Sequence, residues 1–236
     1  LTNPGVVMAH AIASMIDRNG KILVEGWRST QIPNSVRAAI AKLDVGEGEN
    51  TPDINPNWGE PDLTIAERVF ASNTFEVRAF ETGNPKSPAN AIPPSAVVFG
   101  HLRYVVGTDI SKLMPLLRAH LDKHGFNDIT ITSERDMMPA TRLDPDHPWA
   151  KWAIKSLSKT AEDEIAVIPN LGGALPNDVF ADLLGLPTIW VPHSYAGCSQ
   201  HAPNEHILES ISKSALRLMT GLWWDLGEGN TPRQVS

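Results

Sequence analysis

Residues 165–206, IAVIPNLGGALPNDVFADLLGLPTIWVPHSYAGCSQHAPNEH, decide how the rest of this chain is read. The run Ile165–Ile168 is short, apolar and largely β-branched, the composition of a buried strand. It enters a turn containing Gly172-Gly173, after which Asn177–Leu184 has the character of a helix. A second apolar run, Thr188–Val191, opens into a polar loop holding His193, Cys198, His201, Glu205 and His206. Strands alternating with helices predict parallel βαβ units. Pro148–Lys159 reads as the helix before this unit, and Asn204–Leu222 as a long helix after it. Two parallel strands do not make a stable open sheet, so the reading requires further strands from elsewhere.

Upstream the pattern differs. Asn3 is a good N-cap with Pro4 at the first helical position, which predicts a helix over Pro4–Ile16. Asp17-Arg18-Asn19-Gly20 ends it and turns the chain. Lys21–Val24 reads as a short strand and Ile32–Ala41 as a helix. Residues 44–62, rich in Gly, Pro, Asn and Asp, read as a long surface loop or flexible insertion. Ile65–Ala71 reads as a helical turn and Phe75–Phe80 as a strand. Ala96–Val106 alternates like a strand, and Asp109 caps a helix through His124 with Leu113, Leu116, Leu117 and Leu121 on one face. Asn127–Thr132 is a short alternating strand. Helix, strand, strand, helix, strand is the order of an antiparallel α+β domain with helices on one face. The polar, proline-containing residues 134–146 (ERDMMPATRLDPD) are the expected boundary between it and the α/β part.

The 236 residues carry 20 basic and 27 acidic side chains, a net charge of -7, with no basic patch to favour nucleic acid. No apolar run approaches the roughly 20 residues of a membrane span. The single cysteine excludes an internal disulfide and fits a reducing, cytoplasmic setting. Leu1 stands where an initiator methionine is usual, and Leu-Thr-Asn-Pro resembles neither a signal nor a transit peptide, so the chain reads as part of a longer one.

Ligands of parallel sheets gather outside the carboxyl ends of the strands, where the loops at 169–175 and 192–204 both lie. Gly172-Gly173 reads either as a tight strand-to-helix turn or as a cradle whose bare backbone approaches an anion. His201, between Gln200 and a proline-stiffened segment, suits a metal ligand or a general base. The loop matches no compact zinc signature such as His-Glu-x-x-His, so any partners must come from other segments. Cys198 with His201 lacks the oxyanion hole and orienting group of a nucleophilic pair, and Ser194 lacks the Gly-x-Ser-x-Gly elbow. Arg103, mid-strand among apolar neighbours, is either an exposed edge charge or a fork for a carboxylate. Asn90, in Pro-Ala-Asn-Ala-Ile-Pro, reads as a turn residue.

Four pieces in order resemble the M20 metallopeptidases, in particular their dipeptidase-like (carnosinase-like) branch. They are Thr2-Asn3-Pro4-Gly5 opening a helix, Asn90-Ala91-Ile92-Pro93 with Arg103 thirteen residues on, Gly172-Gly173-Ala174-Leu175-Pro176, and Gln200-His201-Ala202-Pro203-Asn204-Glu205. The resemblance implies an α/β plus α+β protein. Residues 1–133 would be most of an inserted α+β lid that commonly dimerises, its first strand missing. Residues 134–236 would be the C-terminal part of a zinc-exopeptidase-like domain with a parallel or mixed sheet. It also implies two divalent metal ions, zinc in most members, with His201 as the late ligand. Asn90 and Arg103 would meet the carboxylate or reaction oxyanion of a small peptide or amide substrate, and Gly172, Gly173 and Ala174 would hold its C-terminal carboxylate. Relatives often carry Gly-Gly-Ser there, and Ala174 leaves only the backbone amide. The family's early His-x-Asp motif, bridging Asp, Glu-Glu pair and lid histidine have no counterpart in these residues, so no catalytic group is expected within them and the piece alone is expected to be inactive. A deacylase of N-acyl amino acids, or a non-catalytic dimerisation and binding module, are the alternatives.

Overall fold

The computed structural model describes residues 1–29, 31–46, 53–133, 137–173, 175–195, 197–229 and 231–232. Helix α1 (Pro4–Met15) starts where Asn3 accepts from the amides of Gly5 and Val6 at 3.0 and 3.3 Å, with Pro4 in the first turn. The Asp17–Gly20 turn closes as expected, the Asp17 carboxylate accepting from Asn19 N and Lys21 N. Gly20 adopts φ +80°, and a Cβ there would lie 2.6 Å from the Trp58 ring, so conformation and space both demand glycine. Lys21–Val24 is not a ladder strand: only Ile22 bridges back to Ile16.

Helices α2 (Asn34–Ile40) and α3 (Ile65–Phe70) bury Ile32, Val36, Ile40 and Ala71 in a small cluster of their own. Thr64 and Glu67 form a reciprocal capping box at the start of α3. The stretch between these helices is tied down around residues 56–60. Glu60 is buried, accepts from Ile22 N and pairs with Arg28. Gly59 N donates to Asn19 O, and Arg68 donates to the carbonyls of Pro56 and Trp58. Residues 53–62 are therefore an anchored crossover rather than a loose insertion; residues 47–52 of the expected loop lie outside the described residues. Composition reports turn content but not the one buried carboxylate that fixes the segment.

Strands β1 (Thr74–Thr82) and β2 (Ala96–Arg103) pair antiparallel, from Thr74 opposite Arg103 to Thr82 opposite Ala96, with a bulge between Val77 and Ala79. Helix α4 (Ile110–Lys123) begins at Asp109, whose carboxylate accepts from Ser111 N. The core lies between this sheet and helices α1 and α4: Ala11, Met15, Ile22, Val24, Trp27, Phe75, Leu113 and Leu121 are buried together. The Trp27 indole donates to Leu113 O at 2.9 Å and packs 5.5 Å from the Phe75 ring. Asn73, 2 % exposed, ties three segments together. Its Nδ2 donates to Trp27 O and Thr108 Oγ1, and its Oδ1 accepts from Val105 N at 2.8 Å. Asn73→Ala leaves Trp27 O and Val105 N without partners and is expected to cost about 2–3 kcal/mol, read as a lower urea midpoint at unchanged slope.

Asn127–Thr132 pairs with no strand. It is held instead by Arg118, which donates to the carbonyls of Phe126 and Ile129, with Ile129 and Ile131 packed on the core. In the second half, α5 (Pro148–Ser158) packs on α6 (Glu209–Gly227), joined by Lys159 and Asp225 at 2.8 Å. Ile165–Ile168 and Thr188–Val191 are not ladder strands here: among the described residues the only sheet is β1–β2. A strand is defined by its neighbour, and an apolar run without a paired partner stays unassigned. Asn177–Leu184 contains a five-residue π-helical turn, Val179–Leu183, rather than a full α-helix. Helix α6 begins at Glu209, not Asn204, because Asn204 takes a left-handed conformation that ends the preceding turn. Leu171, Leu183, Leu184, Trp190, Trp223 and Trp224 are all exposed in this half. No helix among the described residues is long and apolar enough to cross a membrane.

Candidate functional site

Arg103 is the last residue of β2, so its side chain leaves the sheet where β2 meets the second half of the chain. A Cβ built on Gly172 would lie 3.2 Å from Arg103 Nη1, with nothing else within 4 Å. The guanidinium thus rests against the bare Cα of Gly172, and two residues singled out 69 positions apart meet. Gly173 has open space around it, and its N–H turns back to Leu171 O at 2.9 Å. Ala174 lies outside the described residues. Asn90 is an exposed residue in the bend joining β1 to β2, as its turn-like sequence suggested.

The field near Arg103 is positive. His101 is held below its ordinary pKa first by burial, then by the guanidinium groups of Arg103 and Arg78, with Glu76 opposing. Arg142 lies half-buried at the same seam, its pKa lowered by burial while Asp144 pulls it back up. Its Nη1 donates to Asn170 Oδ1 at 3.3 Å, and Asn170 Nδ2 donates to Phe70 O at 2.6 Å. At the far end of the glycine turn Asn177 is buried. Its Nδ2 donates to Thr141 Oγ1 and Thr188 Oγ1, and its Oδ1 accepts from the Trp190 indole. Arg142, Asn170 and Asn177 carry no motif, and sequence reasoning passed over them. The only available signal was an asparagine at each end of a Gly-Gly turn.

His201 is exposed at φ +60°, flanked by Ser199 at +57° and Asn204 at +65°. These three are the positive-φ non-glycine residues of the described chain, and they fall within six positions. A histidine held left-handed costs conformational energy and signals a loop fixed by its surroundings. The fixing contacts are visible: His201 N donates to Glu205 Oε2, Ala202 N to Ser199 O, and His206 N to Cys198 O. The Tyr195 hydroxyl and His206 Nε2 are 2.5 Å apart, and His206 Nδ1 lies 2.8 Å from Asn204 O. With Nδ1–H donating to that carbonyl, Nε2 is the acceptor for the tyrosine. Cys198 is buried and accepts from Ser194 Oγ, which makes it packing rather than an exposed nucleophile.

Among the described residues no three His, Cys, Asp or Glu side chains gather as a metal shell. His201 is a solvent-facing residue on a fixed loop, with the Glu205 carboxylate beside it on the His201 amide.

No protein-family model and no curated protein sequence matches the chain. Solved structures do. The M20 family metallo-carboxypeptidase Sso-CP2 from Sulfolobus solfataricus superposes with a TM-score of 0.74 at 25% identity, over 94% of this chain and 52% of that one. The fold is that of the M20 metallopeptidases. The di-peptidase Dug1p from Saccharomyces cerevisiae shares this M20-type fold with a TM-score of 0.66 at 18% identity, over 94% of this chain and 48% of its own. Human carnosine dipeptidase 1 gives 0.68 at 13% identity, over 97% and 50%. The chain spans about half the length of the M20 structures it matches.

Proposed function

We propose that these residues belong to a metal-dependent peptidase that hydrolyses dipeptides or related amide bonds. The observation that carries the reading is the contact of the Arg103 guanidinium with Gly172, a cation beside exposed backbone at the seam between the two halves. Arg103 and the turn of Gly172, Gly173 and Ala174 receive the substrate's carboxylate, through the guanidinium and those backbone amides that the turn does not itself use as it uses the Gly173 N–H on Leu171 O. Asn90 acts from the β1–β2 connection on the carboxylate or the oxyanion. Residues 1–133 form the lid, and residues 134–236 are the C-terminal part of the catalytic domain. His201 contributes one ligand to a pair of divalent ions, zinc by preference. The other ligands and the general base come from parts of the protein outside this sequence, so these 236 residues alone do not hydrolyse substrate. The likeness to structures about twice as long supports that division. When bound, the ions would supply an acidified water and polarise the scissile carbonyl.

The lid also offers a surface for a second copy. Phe99 and Val97 stand exposed on the sheet face opposite the buried Phe75 and the partly buried Leu102. A homodimer through this face is part of the proposal, as is a reducing cytoplasmic setting for the free Cys198.

The test uses the intact protein. Hydrolysis of free dipeptides, their C-terminal amides and N-acyl amino acids is compared before and after removal of metal by chelation. The expected outcome is metal-dependent cleavage with KM at least tenfold lower for the free carboxylate, since a charge-assisted pair contributes about 1.5–3 kcal/mol. Faster turnover of N-acyl amino acids would move the assignment to a deacylase. Cleavage indifferent to both chelation and the carboxylate would sink the reading.

A further inference from the structure

The glycine turn at 172–173 is gripped at both ends by two adjacent residues of the crossover. Thr141 takes the Asn177 end, its Oγ1 accepting from Asn177 Nδ2 at 2.7 Å. Arg142 takes the Asn170 end, its Nη1 donating to Asn170 Oδ1 at 3.3 Å. Each asparagine then reaches a second element. Asn170 Nδ2 donates to the carbonyl of Phe70 at the end of α3, and Asn177 is joined to Thr188 and Trp190. Asn177 is 9 % exposed, so losing one of these partners leaves its amide with little access to water in exchange. Arg142 is half-buried, and although the Asp144 charge acts on it, the hydrogen-bond partner it holds across the turn is a neutral carboxamide. That is an uneconomical use of a desolvated guanidinium unless its geometry or its field matters.

We infer that Thr141 and Arg142 are positioning residues for carboxylate recognition: through Asn177 and Asn170 they brace the Gly172-Gly173 turn from both sides so that it stays seated beside Arg103. This rests on the turn being the carboxylate-binding loop. An unbraced Gly-Gly segment samples many conformations, and only a small share of them keep its backbone beside the Arg103 guanidinium. Bracing removes that loss before substrate arrives, so it acts on binding of the carboxylate and not on the chemical step. Neither brace residue touches the substrate. The Arg142 charge adds a positive field under the turn.

The experiment uses the intact, metal-loaded protein with Thr141→Val, Thr141→Ser and Arg142→Met. Each is assayed on a dipeptide and on the same dipeptide as its C-terminal amide. Thr141→Val keeps the shape and loses the acceptor, and is expected to raise KM for the free dipeptide about tenfold. Its kcat should stay within about twofold and its KM for the amide unchanged, since uniform binding alone is lost. Thr141→Ser keeps the hydroxyl and should restore the wild-type KM. Arg142→Met should raise the same KM without touching the amide. Hydrogen exchange of the amides at 170–177 should quicken in Thr141→Val and Arg142→Met while α1 and α4 keep their protection. If Thr141→Val and Thr141→Ser behave alike, or if both substrates suffer equally, the brace is overturned. If the wild type itself ignores the carboxylate, the loop reading fails and takes this proposal with it. A wild type that discriminates, with variants that do too, removes the brace alone.

Discussion

In the intact protein, His201→Ala is expected to lower zinc affinity by at least about 100-fold, because losing only the outer partner of a ligand already costs about 10–100-fold. Hydrolysis should fall with it and recover only in part at high zinc. The side chains that follow His201 on the loop are already engaged: Glu205 by the His201 amide, and His206 by Tyr195 and Asn204. Metal content after gel filtration, with chelator competition, checks this without recourse to activity. A variant that keeps full metal and full turnover would dismiss His201 as a ligand. His193→Ala makes a useful comparison, since it lies on the same loop and is expected to change neither.

The largest effect on stability is expected at Trp27. It is 3 % exposed, faces Phe75 at 5.5 Å, and donates to Leu113 O. Its carbonyl is also one of the acceptors that Asn73 satisfies. Trp27→Ala empties the middle of the core between α1, α4 and the sheet, and should cost about 3–5 kcal/mol. Trp27→Phe keeps most of the volume and loses the indole donor, so its cost should be nearer 1–2 kcal/mol. Urea midpoints of the two variants against the parent measure both. Equal midpoints for Trp27→Ala and the parent would mean that the cluster is not the core of this half.

Much of the helical framework was legible in the chain. Asn3 and Asp109 mark helix starts because capping is local, and the leucines of α4 declare its buried face through their spacing. The β1–β2 hairpin was legible for the same reason: alternation is a property of neighbours in sequence. The back half resisted. Ile165–Ile168 and Thr188–Val191 are rich in strand-forming residues, yet pairing depends on partners that composition does not name. The seam at Arg103, Arg142, Asn170 and Asn177 was half-visible. Arg103 and Gly172 stood out through family likeness, while the asparagines gained their roles from contacts across the fold. The left-handed trio at 199–204 left no mark in the sequence, since serine and histidine are ordinary loop residues until the backbone twists them.

The two glycines of the turn are unequal. A methyl group at 173 meets nothing within 4 Å, and neither glycine adopts the left-handed conformation that would bar other residues. At 172 the same methyl group would meet the Arg103 guanidinium 3.2 Å away, a contact that the flexible end of the arginine relieves by shifting a few tenths of an ångström. A side chain at 173 would instead fill the open space in which the proposed carboxylate is received. The two positions of the pair thus answer to different constraints: a side chain at 172 displaces the cation, and one at 173 displaces the ligand.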